Sequence, residues 1–259
     1  GGVKLYHGTD AANLAAIRAH GVRPRAATRR PSNWGHTIES NPHAVYLTDT
    51  YALYFAVNGA ADDSWPAILE LDTEALRPDL LAPDEDALEQ ATRVLPTDGV
   101  PPELRPGAAL EGMVTRTRWF RRHALRLANF WPVSVELLGT CAYYGPVPPA
   151  AITRVAVIDP DTAPAMTVAL DPMVSISNHR FCGAFYRNAT RAIFGDPATE
   201  PDHTGVDAAK LEALAQWYER NGGGVAARET RAWAQGPAWA TFGEGVTVRP
   251  LPEIADIEI

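Results

Sequence analysis

The chain has 259 residues, 46% of them hydrophobic, and a formal net charge of −8. This is enough length for one substantial domain, or a domain with an appendage, and the acidic balance argues against a protein that grips nucleic acid over its whole surface. No stretch of about 18 apolar residues occurs, so no membrane span is expected, and no signal-peptide pattern is present, which leaves open a native leader that has been removed. The opening Gly1-Gly2, without methionine, reads as a tag remnant or an excised domain. Cys141 and Cys182 are too few for a disulfide framework and lack metal-ligand spacing, which predicts a reducing compartment and no zinc.

Taken in order, the alternation of Val3 and Leu5 with Lys4 and Tyr6 predicts a short strand over residues 3–7, ending at His7-Gly8-Thr9. A helix is expected from Asp10 to His20, capped at Thr9 or Asp10 and stopped by Gly21. Residues 22–43, punctuated by Pro24, Pro31, Gly35 and Pro42, read as a loop. A second strand at 44–47 runs into Thr48-Asp49, either of which can cap a helix through Thr50 to Asn58 that carries Tyr51, Tyr54 and Phe55.

Ala67 to Asp72 reads as a strand with a buried face. Asp84-Glu85-Asp86, preceded by Pro83, reads as the start of a helix whose acids favour the N-terminal dipole rather than as a metal site. Residues 95–109 form an irregular, proline-rich connector. Met113 to Trp131 is expected as a basic helix ended by Pro132, its aromatics Trp119, Phe120 and Phe130 serving as core or as base-stacking platforms. Strands follow near 133–143 and 153–158, with another at 166–176, then helices at 181–194 and 207–221. No internal repeat occurs.

Charge is unevenly spread. No acid stands between Asp10 and Glu39, a gap holding Arg18, Arg23, Arg25, Arg29 and Arg30. None stands between Glu111 and Glu136, where Arg116, Arg118, Arg121, Arg122 and Arg126 cluster. Two basic patches on an acidic protein suit either a solvated face or a phosphate-rich partner, whether a dinucleotide pyrophosphate or a nucleic-acid backbone.

The pairing of Leu5-Tyr6-His7-Gly8-Thr9 with Val45-Tyr46-Leu47-Thr48-Asp49, each a strand running into a helix, resembles the first two motifs of the ADP-ribosyltransferase superfamily, in its histidine–tyrosine branch. That branch holds the poly-ADP-ribose polymerases, DNA-modifying toxins and RNA 2′-phosphotransferases. The resemblance covers residues 3–72, is thinner over 133–159 and is absent elsewhere. It implies an α+β fold: a split β-sandwich of two small sheets around an NAD cleft, with helical additions. The catalytic domain would span 1–176, with an insertion at about 77–131, and 177–259 would be a helical C-terminal appendage, separate or part of the same domain.

By the same resemblance NAD is the substrate. His7 would donate to a ribose hydroxyl, Gly8 and Thr9 would let backbone approach the nicotinamide carboxamide, and Tyr46 with Tyr54, or its rival Tyr51, would stack the nicotinamide ring. Arg23 and Arg25 would meet the pyrophosphate, with Trp34 and His36 on the adenine side. Relatives place a catalytic glutamate at the start of the third-motif strand. Here that position is Thr140, and Glu136, four residues upstream, is the acid expected to serve.

The implied function is mono-ADP-ribosyl transfer to a macromolecule, nucleic acid favoured over protein, with nicotinamide release. Family habit adds a toxin or phage-defence role, an antitoxin or immunity protein as partner, and action in the cytoplasm of the producing or a target cell. Two alternatives stand beside it: an NAD-dependent RNA 2′-phosphotransferase, which does not depend on that glutamate, and a catalytically inactive NAD- or nucleic-acid-binding module.

Overall fold

The structure is a computed structural model that describes residues 3–29, 39–85, 113–168, 179–196, 208–224, 227–228, 230–231 and 241–256. Seven strands form one sheet: β1 (Lys4–Asp10), β2 (Val45–Thr48), β3 (Pro66–Asp72), β4 (Leu81–Pro83), β5 (Thr140–Tyr143), β6 (Ile152–Ile158) and β7 (Val246–Arg249). Their spatial order is β4-β5-β2-β1-β3-β6-β7, with every neighbouring pair antiparallel. The class is therefore α+β, in a single sheet rather than the two small sheets expected.

That sheet is nonetheless weakest at one seam. β1 pairs with β3 along its whole length, from Lys4↔Asp72 to Asp10↔Pro66, whereas β1 and β2 share only Tyr6↔Thr48.

Both faces of the sheet are covered, which is why β3 reads as a nearly unbroken apolar run instead of a clean alternation. On one face Leu5, Leu47, Leu69, Leu71 and Val155 pack with Leu14 and Ile17 of α1 (Leu14–His20) and with Leu251 and Ile254 near the C-terminus. On the other, Tyr6, Ile68 and Ala156 pack against α3 (Ala52–Gly59) and against Ala189 and Ile193 of α6 (His179–Ile193). A short α2 (Arg25–Thr28) lies between α1 and β2. A further helix, α7 (Ala208–Arg220), matches the expectation for 207–221.

The segment before β5 corrects the sequence reading. Residues expected to open a strand form α5 (Trp131–Leu138), with α4 (Met113–His123) and a 3-10 stretch (Ala124–Phe130) before it. Pro132 sits in the first turn, where its missing N–H costs nothing, so it starts a helix instead of ending one. Trp131, Val135 and Leu138 recur at helical spacing, and Gly139, at φ 71°, takes the left-handed position that closes the helix. Phe120, Leu127 and Leu138 form a small core of their own beside β4 and β5, so Phe120 is core and not a base platform.

Other differences are local. Asp10, and not Thr9, caps the first turn, its Oδ1 accepting from Ala12 N at 2.7 Å, and a 3-10 turn precedes α1. Met166 to Val168 lie in a 3-10 turn, while 169–176, the rest of the expected strand, fall outside the described residues. Residues 177–259 are not only helical: β7 pairs with β6, and Leu251 and Ile254 enter the main core. The connector at 95–109 is also outside the described residues.

Candidate active site

The seam between β1 and β2 brings two of the expected site residues, His7 and Tyr46, together. Beyond Tyr6↔Thr48 the ladder toward Gly8 and Tyr46 is not made, and instead His7 Nδ1 lies 2.9 Å from the carbonyl oxygen of Tyr46. A ring thus bridges the strands where backbone bonds stop. His7 is half-buried. Burial pulls its pKa below the usual 6.5, only partly opposed by the bond to Tyr46.

A neutral imidazole has a single N–H. Spent from Nδ1 on the Tyr46 carbonyl, it leaves Nε2 as an acceptor. In this state Nε2 can accept a hydrogen bond from a hydroxyl, whereas the donor role expected from the sequence requires the protonated ring.

Gly8 has a structural reason of its own. A Cβ there would lie 2.3 Å from Ala56 N and 2.6 Å from Ala52 O, so the backbone of α3 packs directly on this residue. The neighbouring Thr9 is buried, its hydroxyl accepting from Asn13 Nδ2 at 3.1 Å. Helix α3 starts through Thr48, whose Oγ1 accepts from the backbone N–H groups of Thr50 and Tyr51 at 2.9 and 2.7 Å.

The two rival tyrosines separate by burial. Tyr51 is 0% exposed and meets Tyr186 edge-on at 5.4 Å, so it belongs to the core. Tyr54 is half-buried, beside Phe55 at 5.6 Å, in the turn of α3 that lies over Gly8. Of the two, Tyr54 keeps a ring that a ligand can reach.

Tyr46 is anchored at its far end. Its hydroxyl donates to Glu85 Oε1 at 2.6 Å and accepts from Asn41 N at 2.9 Å. Glu85 also receives Arg121 Nε at 3.3 Å, and Asn41 Nδ2 donates to the Tyr144 hydroxyl at 3.1 Å. Burial and the nearby Asp84 charge push the Glu85 carboxyl above the ordinary carboxylate range, against the pull of Tyr46 and Arg121. Glu85 is helical, in keeping with the helix start expected after Pro83, and Asp84 and Glu85 are both buried. Asp86 lies outside the described residues, and among those described no three His, Cys, Asp or Glu side chains gather as a metal site.

The arginines divide as well. Arg23 is exposed. Arg25 is committed, donating to Glu39 Oε2 at 3.3 Å and to the Ser40 carbonyl at 2.7 Å. Arg121 also donates to the Glu39 carbonyl, so Arg25 and Arg121 together pin the chain leading to Asn41 and Tyr46. Trp34, His36 and Arg30 lie outside the described residues. On α4 and just beyond it, Arg118, Arg122 and Arg126 recur every fourth residue and are all exposed. At the other side Arg187 of α6 approaches Asp49 at 4.0 Å and Thr50 Oγ1 at 3.5 Å.

Thr140, where an acid was expected, opens β5 opposite Thr48, and its Oγ1 is buried with no hydrogen-bond partner among the described residues. Glu136 is exposed on α5, a helix away from that strand, and makes no described bond to His7 or Tyr46. The residue the sequence reading missed is Glu85. Its signal was the apolar run Leu80-Leu81-Ala82 before Pro83, short enough for an edge strand, where proline is tolerated. No family model, curated protein or solved structure matches this chain.

Proposed function

We propose that the chain is an NAD-dependent mono-ADP-ribosyltransferase acting at the seam between β1 and β2. The observation that carries the reading is the His7 Nδ1 contact with the Tyr46 carbonyl at 2.9 Å across the point where pairing stops. It ties an imidazole with a free acceptor nitrogen to the backbone of Tyr46, whose ring is tethered at its hydroxyl. That is a fitting combination for a nicotinamide riboside: Nε2 accepts from a ribose hydroxyl, while Tyr46 and Tyr54 offer faces to the nicotinamide ring.

In the reaction, the C1′–N bond of NAD breaks and its electron pair neutralises the pyridinium nitrogen, so nicotinamide leaves uncharged. A nucleophile on the acceptor forms the new bond to C1′ and gives up its proton. The developing positive charge on the ribose needs a nearby negative group, and a preorganised group of that kind is worth about 10²–10³ in rate. Exposed Arg118, Arg122 and Arg126 favour a phosphate-rich acceptor, hence nucleic acid over protein.

The test is mass spectrometry of reactions holding NAD with DNA, RNA or cellular protein, for the wild type and His7→Ala. A gain of one ADP-ribose on one acceptor class, absent in the variant, supports the reading. Thr140 at the expected acid position favours a second one, an NAD-binding module without transferase activity. NAD binding with no nicotinamide release in the presence of any acceptor would select it.

A further inference from the structure

We infer that Glu85 is the carboxylate on which this site depends, a positioning residue that acts through the Tyr46 hydroxyl. The register of the sheet edge brings it there. β4 and β5 pair as Leu81↔Tyr143, Ala82↔Ala142 and Pro83↔Cys141, which carries the chain after Pro83 to the level of Thr140. The exit from β4 is pinned: Asp84 N donates to Ser134 Oγ at 3.0 Å, and Ser134 Oγ donates to the Thr140 carbonyl at 2.8 Å. Glu85 follows directly, with its side chain 1% exposed.

A carboxylate so placed is costly, because burial strips its water and Asp84 adds a like charge. An apolar residue would pack there at lower cost unless the carboxylate has a task. Its described contacts name that task. Oε1 takes the Tyr46 hydroxyl at 2.6 Å and Arg121 Nε at 3.3 Å, and Oε2 takes the Tyr144 hydroxyl at 3.5 Å, the outer limit of such a bond.

Tyr46 is then held at both ends, its carbonyl by the His7 ring and its hydroxyl by Glu85 and Asn41 N. A ring fixed in plane is a stacking surface that a planar ligand meets without ordering it first. Arg121 extends the same arrangement to the Glu39 carbonyl and, through α4, to the helix bearing the exposed arginines.

The inference rests on the reading of the site as an NAD site, and one experiment separates the two. NAD affinity is measured by calorimetry for the wild type, Glu85→Gln, Tyr46→Phe and the double variant, each checked for its melting transition. A hydrogen bond to a charged group is worth about 1.5–3 kcal/mol, so each single variant should bind roughly 10- to 100-fold more weakly. The double variant should bind no more weakly than either single, because both changes cut the same link.

Multiplying effects in the double variant, or wild-type affinity in Glu85→Gln, would overturn the inference while leaving the NAD site standing. Should Glu85→Gln fail to fold, Tyr46→Phe decides alone: unchanged affinity overturns it, and a loss in that range supports it. A wild type that does not bind NAD removes the functional reading and this inference with it.

Discussion

The charged knot beneath β1, β3 and β6 gives the sharpest test of what holds the sheet together. Glu70 sits on β3 with Tyr6 opposite on β1 and Arg154 opposite on β6, and its side chain is 4% exposed. Its carboxylate accepts from Arg154 Nη2 at 2.5 Å and Nε at 2.9 Å, from Thr153 Oγ1 at 2.7 Å and from Lys4 Nζ at 3.0 Å. Arg154 in turn binds Asp196 Oδ2 at 2.7 Å and lies over the Phe194 ring at 5.0 Å, tying in the end of α6.

Burial alone would raise the Glu70 carboxyl. The bonds from Arg154, Thr153 and Lys4 outweigh it and lower the pKa from 4.5 to about 2. At about 1.4 kcal/mol per unit, the ionised group contributes about 3 kcal/mol to folding. The folded pKa is the lower one, so this contribution is complete above pH 4.5 and is lost as pH falls toward 2. By pH 3 about 2 kcal/mol of it should be gone.

Glu70→Gln keeps the shape and removes the charge. Urea unfolding of both proteins from pH 7 to pH 3 should therefore give a difference of about 3 kcal/mol at neutral pH, shrinking through the acid range. A difference that stays constant with pH would show that Glu70 contributes through packing alone and refute the charge argument.

Gly8→Ala should destabilise by at least about 1–3 kcal/mol, seen as a lower melting temperature, because the α3 backbone that a Cβ would strike cannot rotate aside. Tyr51→Ala should cost about 3–5 kcal/mol by emptying a core position, whereas Tyr54→Ala should leave stability nearly intact and weaken NAD binding; equal stability losses would undo the separation drawn between them. Glu136→Ala, on an exposed helical position, should change stability by less than about 0.5 kcal/mol and leave NAD affinity unchanged, and a collapse of transfer in this variant would return the acid's role to Glu136. His7 has a folded pKa below 6.5, so between that value and 6.5 the unfolded chain holds more protons and stability falls as pH falls. His7→Gln should abolish that component, read as a flatter stability profile between pH 5 and pH 7.

How much of this was legible in the residues follows from how local each signal is. β1, β2, β3 and β6 were readable because their side chains alternate or run apolar over several residues, and the helices after Thr9, Thr48 and before Gly222 announce their ends with caps and glycine. That His7 and Tyr46 lie on strands was readable for the same reason, although β1 runs on to Asp10 and leaves His7 inside the strand instead of at the end expected for it. Val133 to Leu138 was misread because Val133, Val135 and Leu137 alternate with Ser134 and Glu136 at the strand period while Val135 and Leu138 also fit the helical one, and only packing on β4 and β5 chose the helix.

Tyr51 and Tyr54 stand three residues apart on one helix, and composition cannot say which of them faces Tyr186 and which faces outward. The short edge strands β4 and β7 carry too few residues to show a period, and they exist because β5 and β6 offer unpaired edges. Glu85 is the clearest case. The sequence marks it only as one of three acids opening a helix, and burial of a carboxylate is unfavourable by itself. Only the fold, by bringing Tyr46, Arg121 and Tyr144 from three distant stretches to its oxygens, makes the buried position tenable.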